Sequence, residues 1–174
     1  MKDYIKRDIE KFILKLTNEY PAILITGPRQ VGKTTMLKKL MEGTNRNYVS
    51  LDDLTQRELA KNNPAMFFQI HKPPILIDEV QYAPELFTYI KIIVDEKCNP
   101  GDFWLTGSQI FKLMKGVQES LAGRVAVLKL SSLSQNEIYN QLENIPFSTD
   151  LKVLTEKDKQ VPKADTMDIF RQNI

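Results

Sequence analysis

Gly27-Pro28-Arg29-Gln30-Val31-Gly32-Lys33-Thr34 fills every fixed position of the phosphate-binding pattern G-x-x-x-x-G-K-[ST], the Walker A motif. The flanks decide how it is read. Ala22-Ile23-Leu24-Ile25-Thr26 precedes it, a short apolar run introduced by Pro21, and reads as a buried strand. Thr34 to Met41 follows, with apolar residues at helical spacing. Strand, glycine loop and helix aim backbone N–H groups and a helix N-terminus at an anion. Gly27 and Gly32 allow the backbone to curl around phosphate oxygens. Lys33 is expected to reach the β- and γ-phosphates, and the Thr34 hydroxyl to ligate Mg²⁺. The plainer alternative, a glycine turn ahead of a basic helix, does not need both flanks. The candidate nucleotide-binding set is therefore Gly27, Pro28, Arg29, Gln30, Val31, Gly32, Lys33, Thr34 and Thr35.

A second cluster supplies what a phosphate cradle lacks. Hydrolysis also needs an acid to orient the metal and a group to position water. Ile75-Leu76-Ile77-Asp78-Glu79 ends an apolar strand on two adjacent acids, the Walker B arrangement. Asp78 is the expected Mg²⁺ partner of Thr34. Glu79, expected to point the other way, is the candidate for polarising the attacking water. An acidic pair closing a strand is common by itself; beside the P-loop it acquires this meaning. Thr106, Gly107, Ser108 and Gln109 close another strand, Phe103 to Thr106. Thr106 and Ser108 are both candidates for sensing the nucleotide or orienting water, with Gln109 a third. No Asn-Lys-x-Asp motif occurs, which leaves adenine as the default base.

The remaining chain alternates helices and strands. An amphipathic helix is predicted over residues 2–18, its apolar side carrying Ile5, Ile9, Phe12, Ile13 and Leu16. Strands are predicted at 47–51 and 125–130, and Asp53 is a candidate N-cap for a helix over 54–60. Pro64 opens a short helix to Ile70, and Pro84 introduces one carrying Leu86, Phe87, Ile90, Ile93 and Val94. Residues 108–120 read as an irregular helix and 135–142 as a final one. Alternation of this kind predicts a parallel sheet covered on both faces, with ligands at the C-terminal strand ends. Residues 143–174 are polar, with weak periodicity. Phe67, Phe68 and Trp104 read as core, and His71 as a loop residue without a motif partner.

Bulk properties set limits only. A chain of 174 residues suits one α/β domain. Its net charge of +2 argues for neither nucleic acid nor a membrane surface; nucleic-acid binding is open but unsupported. No apolar run reaches the roughly 18 residues of a membrane span. Cys98 is the single cysteine, so no internal disulfide can form; it reads as a buried or idle thiol, and a cytoplasmic location is expected.

Five segments together resemble one family: 27–35, Ser50-Leu51-Asp52-Asp53, Ile77-Asp78-Glu79-Val80-Gln81, Leu105-Thr106-Gly107-Ser108-Gln109 and Ser120-Leu121-Ala122-Gly123-Arg124. They are similar to the AAA-type P-loop ATPases of bacteria and archaea that usually carry a C-terminal domain of unknown function. The resemblance covers residues 1–142 and implies a three-layer α/β P-loop NTPase fold with sheet order 5-1-4-3-2. It implies Mg²⁺-dependent ATP hydrolysis to ADP. It also implies that Arg124, just before the fifth strand, reaches a neighbouring subunit's γ-phosphate, hence a homo-oligomer. Family members continue into a helical lid and the C-terminal domain. Residues 143–174 are accordingly expected to be the start of a truncated lid or C-terminal region, in a fragment or a shortened member. With the lid absent, an ATP-binding switch or interaction module with negligible turnover is the alternative. A small-molecule kinase is the third reading, and no arginine-rich lid segment supports it.

Overall fold

The computed structural model describes residues 4–139, 149–152 and 154–155. Five strands, β1 (Ala22–Thr26), β2 (Asn47–Ser50), β3 (Ile75–Asp78), β4 (Phe103–Gly107) and β5 (Val125–Lys129), form one parallel sheet. Its order, β2-β3-β4-β1-β5, is the expected 5-1-4-3-2 order read from the other edge. The helices are α1 (Glu10–Thr17), α2 (Lys33–Met41), α3 (Leu54–Asn62), α4 (Pro64–Ile70), α5 (Glu85–Lys97), α6 (Ile110–Gly116) and α7 (Gln135–Ile138). Short turns of tighter and wider helix cover Val80–Tyr82 and Val117–Leu121.

The period-2 geometry of the strands produces the three layers. Along β1, Ala22 and Leu24 join one core with α3, α4 and α5, while Ile23 and Ile25 join the other with α1 and α2. The same split runs through β3, with Ile75 and Ile77 on the first side and Leu76 on the second. In β4, Phe103 and Leu105 oppose Trp104 in the same way. Central strands buried on both faces read as unbroken apolar runs, which is why β1 and β3 stand out in the sequence. On this alternation Asp78 shares the face of Leu76, the side covered by α2. Phe67, Phe68 and Trp104 are buried, as expected.

Caps behave as the residue types dictate. The Asp53 carboxylate accepts from the Gln56 N–H at 3.0 Å and starts α3, and Asn63 does the same for Met66 ahead of Pro64 in α4. Two expectations need correction. Among the described residues the N-terminal helix begins at Glu10, residues 4–9 lying outside it, and Phe12 is about half exposed while Ile13 and Leu16 are buried. Cys98 caps α5 and is exposed rather than buried. His71 follows α4 outside any helix, as expected, with its Nε2 2.7 Å from Gln56 Oε1 and its ring against Phe67. Of the predicted helix 135–142, residues 135–138 are helical, and 140–142 lie outside the described residues, as does most of the tail.

The chain divides into two compact units: Ile9–Ser132, which holds the whole sheet, and a smaller one drawn from Met1–Asp8 and Leu133–Ile174. The smaller unit is organised around one carboxylate. Glu137, 6% exposed, accepts from Arg7 Nε at 2.9 Å, the Asp8 N–H at 2.9 Å and the Ser134 N–H at 2.7 Å. The Ser134 hydroxyl in turn accepts from the Glu137 N–H, completing a capping box. Engagement of Arg7 and Asp8 by Glu137 explains why the helical period over 4–9 does not become helix. Burial alone would raise the Glu137 carboxyl, but the Ser134 N–H, Arg7 and the Asp8 N–H together hold it below the ordinary value.

A depressed carboxyl stabilises the fold above its unfolded titration range, and that stability is lost as pH falls through the folded value. Glu137→Gln, which removes the charged acceptor shared by Arg7 Nε and the Asp8 and Ser134 N–H groups, is therefore expected to cost on the order of 3 kcal/mol near neutral pH. Thermal melts from pH 7 to pH 3 check it: the gap to the parent should be constant above about pH 5 and close below. A gap independent of pH would contradict this account of Glu137.

Candidate nucleotide-binding site

The loop between β1 and α2 is built on two close approaches. Gly27 passes so near Leu130 that a Cβ there would overlap the Leu130 carbonyl oxygen. Gly32 has φ of 87°, a left-handed conformation, and stands as the N-cap of α2. Both glycines that the motif demands thus have a backbone reason visible in the fold. Between them Gln30 also adopts positive φ, 64°. Residues Arg29, Gln30, Gly32, Lys33, Thr34 and Thr35 line a cavity of about 460 Å³ together with Asp52, Glu79 and Tyr82. That volume falls in the range of small-ligand sites.

Lys33 is nearly buried, and its Nζ donates to the carbonyls of Gly27 at 3.0 Å and Pro28 at 2.7 Å. Burial lowers its pKa, the charges of Glu79 and Asp78 oppose that, and the Arg29 charge adds to it. Thr34, one residue on, donates from Oγ1 to Asp78 Oδ1 at 2.7 Å. Thr106 Oγ1 donates to the same Asp78 oxygen and accepts from the Glu79 N–H at 3.1 Å. Asp78, 6% exposed, is therefore shared by α2 and β4. Tyr48 of β2 adds a third donor, its hydroxyl lying 3.4 Å from Asp78 Oδ2.

Glu79 stands just past the strand in left-handed conformation, φ 57°. Its Oε2 accepts from Ser108 Oγ at 3.2 Å and from Gln81 Nε2. Thr106 and Ser108 thus divide the work: one hydroxyl holds Asp78, the other Glu79. Gln109 provides the backbone cap of α6 through its carbonyl. Sequence reasoning assigned nothing to Tyr48, Gln81 or Tyr82. Tyr48 lies opposite Leu76 in the β2–β3 register, so alternation alone sets it on the Asp78 face. Tyr82 receives Arg29 Nη2 on its hydroxyl at 3.3 Å and the Arg57 guanidinium over its ring at 4.0 Å.

The donor set suits Mg²⁺. That ion takes one or two carboxylates plus phosphate oxygens and water, and Thr34 with Asp78 offers one hydroxyl and one carboxylate. Among the described residues no group of three or more His, Cys, Asp or Glu could hold a metal unaided, so the nucleotide and water would supply the remaining ligands.

Arg124 lies at the opposite end of the sheet. Its backbone carbonyl accepts from the Ala22 N–H at the start of β1, and its side chain pairs with Asp95 at 2.5 Å. Four residue steps along β1 lead from Ala22 to Thr26, about 13 Å at roughly 3.3 Å per residue. Arg124 is not gathered with Lys33, Asp78 and Glu79 of its own chain.

Comparison with known proteins agrees with this geometry. Residues 19–139 match the AAA domain family. Uncharacterized proteins of Mycobacterium tuberculosis and Mycobacterium bovis are each 31% identical over 134 residues, 76% of this chain and 30% of theirs. The chain thus spans under a third of the length of those relatives. Among solved structures, a Walker-type ATPase of Pyrococcus abyssi aligns with a TM-score of 0.58 at 17% identity, over 83% of this chain and 61% of that one. The RuvB Holliday junction branch migration motor of Thermotoga maritima aligns at 0.50 and 21% identity, over 78% and 49%. Likeness at those identities concerns the fold. Among the described residues no helix is long and apolar enough to cross a membrane. With its P-loop, its Asp78–Glu79 strand end and its match over 19–139, the chain belongs to the AAA domain family of P-loop ATPases.

Proposed function

We propose that this chain is a Mg²⁺-dependent ATPase domain whose site is completed by a neighbouring copy. The observation that carries the reading is the 2.7 Å bond from Thr34 to Asp78 beside a carboxylate, Glu79, on the wall of the Lys33 cavity. Loop N–H groups between Gly27 and Thr35, Pro28 having none, cradle the phosphates, and Lys33 exchanges the Gly27 and Pro28 carbonyls for β- and γ-phosphate oxygens. Such exchange replaces neutral acceptors by charged ones and strengthens each bond. Held by Thr34 and Asp78, Mg²⁺ would neutralise charge on the phosphate oxygens.

Water attacks the γ-phosphorus and gives its proton to Glu79. The bond from the γ-phosphorus to the bridging oxygen breaks, and ADP leaves with the electron pair. Ser108 and Gln81 hold the Glu79 carboxylate at a fixed place, and Thr106 fixes Asp78, so both acids act without reorganising. Arg124 is about 13 Å of strand away from its own P-loop, a separation that supports a role only toward a neighbour. It would first have to leave Asp95, an exposed pair that costs little to break.

One observation favours a second reading, a nucleotide-dependent switch with negligible turnover: Glu79 Oε2 is already engaged by both Gln81 and Ser108. What the energy of ATP serves lies with the longer proteins of the family, and a protein partner or a C-terminal region is its expected recipient.

Glu79→Gln is expected to bind Mg²⁺-ATP within a few-fold of the parent while turnover falls about 100-fold or more, read by a fluorescent ATP analogue and phosphate release. Equal turnover in parent and variant would favour the switch. Lys33→Ala should weaken ATP binding about 10-fold or more in the same titration. Mixing Glu79→Gln with Arg124→Ala tests the shared site: each variant keeps what the other lacks. Activity of the mixture above the sum of its parts is expected, and strict additivity would remove Arg124 from the mechanism.

A further inference from the structure

Arg29 occupies the third position of the P-loop and lines the cavity with Lys33, Thr34 and Glu79. Among the described residues it makes no ion pair, whereas Arg7, Arg57 and Arg124 each have a carboxylate. Its partner is a neutral phenol, Tyr82, at 3.3 Å, longer than a well-formed bond of this type. Tyr82 itself is fixed: Arg57 stacks on its ring at 4.0 Å, and Arg57 Nε is anchored on the Leu51 carbonyl at 2.7 Å. The result is a loosely held, exposed guanidinium presented toward the same volume as the Lys33 ammonium. Arg29 and Lys33 line the same cavity. A second cation lining the cavity with Lys33, where Asp52 and Glu79 are the acids, adds to the attraction of that volume for the phosphates of a nucleotide.

We propose that Arg29 is an arginine finger supplied in cis, meeting the γ-phosphoryl oxygens of the nucleotide in its own P-loop. The proposal rests on the ATPase reading above. Arg29 transfers no proton: the proton of water goes to Glu79, and ADP carries off the electrons of the broken bond. Its guanidinium donates hydrogen bonds to oxygens whose charge shifts as that bond breaks, a planar fork that a lysine cannot reproduce. Tyr82 is a positioning residue, holding the guanidinium near the cavity until phosphate arrives. Arg29 thus serves the chain that carries it, while Arg124 lies at the far end of the strands.

Arg29→Ala and Arg29→Lys are compared with the parent in steady-state turnover at saturating Mg²⁺-ATP and in binding of ATP, ADP and ADP–aluminium fluoride, which mimics the transferring phosphoryl group. Arg29 is exposed, so neither change disturbs the core. For Arg29→Ala the expected result is a fall in kcat of about 10³-fold, ATP and ADP affinity within threefold, and a large selective loss of ADP–aluminium fluoride affinity. Arg29→Lys should recover only part of either loss. Tyr82→Phe, which removes the hydroxyl and keeps the ring, should lower kcat several-fold without weakening ATP. Unchanged kcat and fluoride-complex affinity in Arg29→Ala would overturn the proposal. So would ATP affinity falling in step with kcat, because Arg29 would then be an ordinary phosphate contact. A parent without turnover at any concentration overturns the ATPase reading and this one with it, whereas parent turnover indifferent to Arg29 overturns this one alone.

Discussion

Asp78 Oδ1 accepts from Thr34 and Thr106 together, and this one carboxylate oxygen ties three elements at the mouth of the site. It joins the first turn of α2 to the end of β3 and the end of β4. A nearly buried carboxylate is costly unless its lone pairs are used, so the donors are structural necessities before they are catalytic conveniences. Tyr48 brings β2 into the same knot. The sheet order matters here: with β4 inserted between β1 and β3, Thr106 falls directly beside Asp78, and Ser108 beside Glu79. An adjacent β1–β3 pair would leave both acids without those hydroxyls.

The rest of the site follows from that knot. Thr106 accepts the Glu79 N–H and so helps to hold a backbone that has turned left-handed, a strained choice for glutamate. The turn delivers the Glu79 side chain to Ser108 and Gln81 rather than continuing the strand. Two adjacent acids thereby acquire different surroundings. Asp78 faces α2 and its threonine, while Glu79 stands on the cavity wall. Division of labour between neighbouring carboxylates comes from environment, as it does where one acid must hold a metal and another must take a proton.

Much of this was legible in the sequence, for reasons that can be named. β1, β3 and β4 are apolar on both faces, so each appears as an uninterrupted run, and the P-loop glycines have backbone duties that no other residue meets. The helix starts at Asp53 and Pro64 were legible because capping is local. What stayed hidden depends on long-range pairing. Glu137 captures Arg7 and Asp8 across about 130 residues, and that capture overrides the helical period of residues 4–9. Phe12 fits the apolar spacing yet faces outward, because α1 buries only a narrow stripe through Ile13 and Leu16. Tyr82 carried no signal of its own, since its partners come from α3 and the P-loop, and Gln81, though part of the family segment 77–81, acquires its role from Glu79 and Ser108. Positive φ at Glu79 is equally silent, because no glycine or asparagine marks it.

The central claim is that Lys33, Asp78 and Glu79 form a hydrolytic site finished by a second copy. Steady-state hydrolysis of Mg²⁺-ATP across a range of protein concentrations, with Lys33→Ala as the blank, tests it most directly. The account predicts turnover above the blank and a specific activity that climbs as the chains associate. Activity at the level of the blank throughout would contradict it, and the site would then be one that holds a nucleotide without cleaving it.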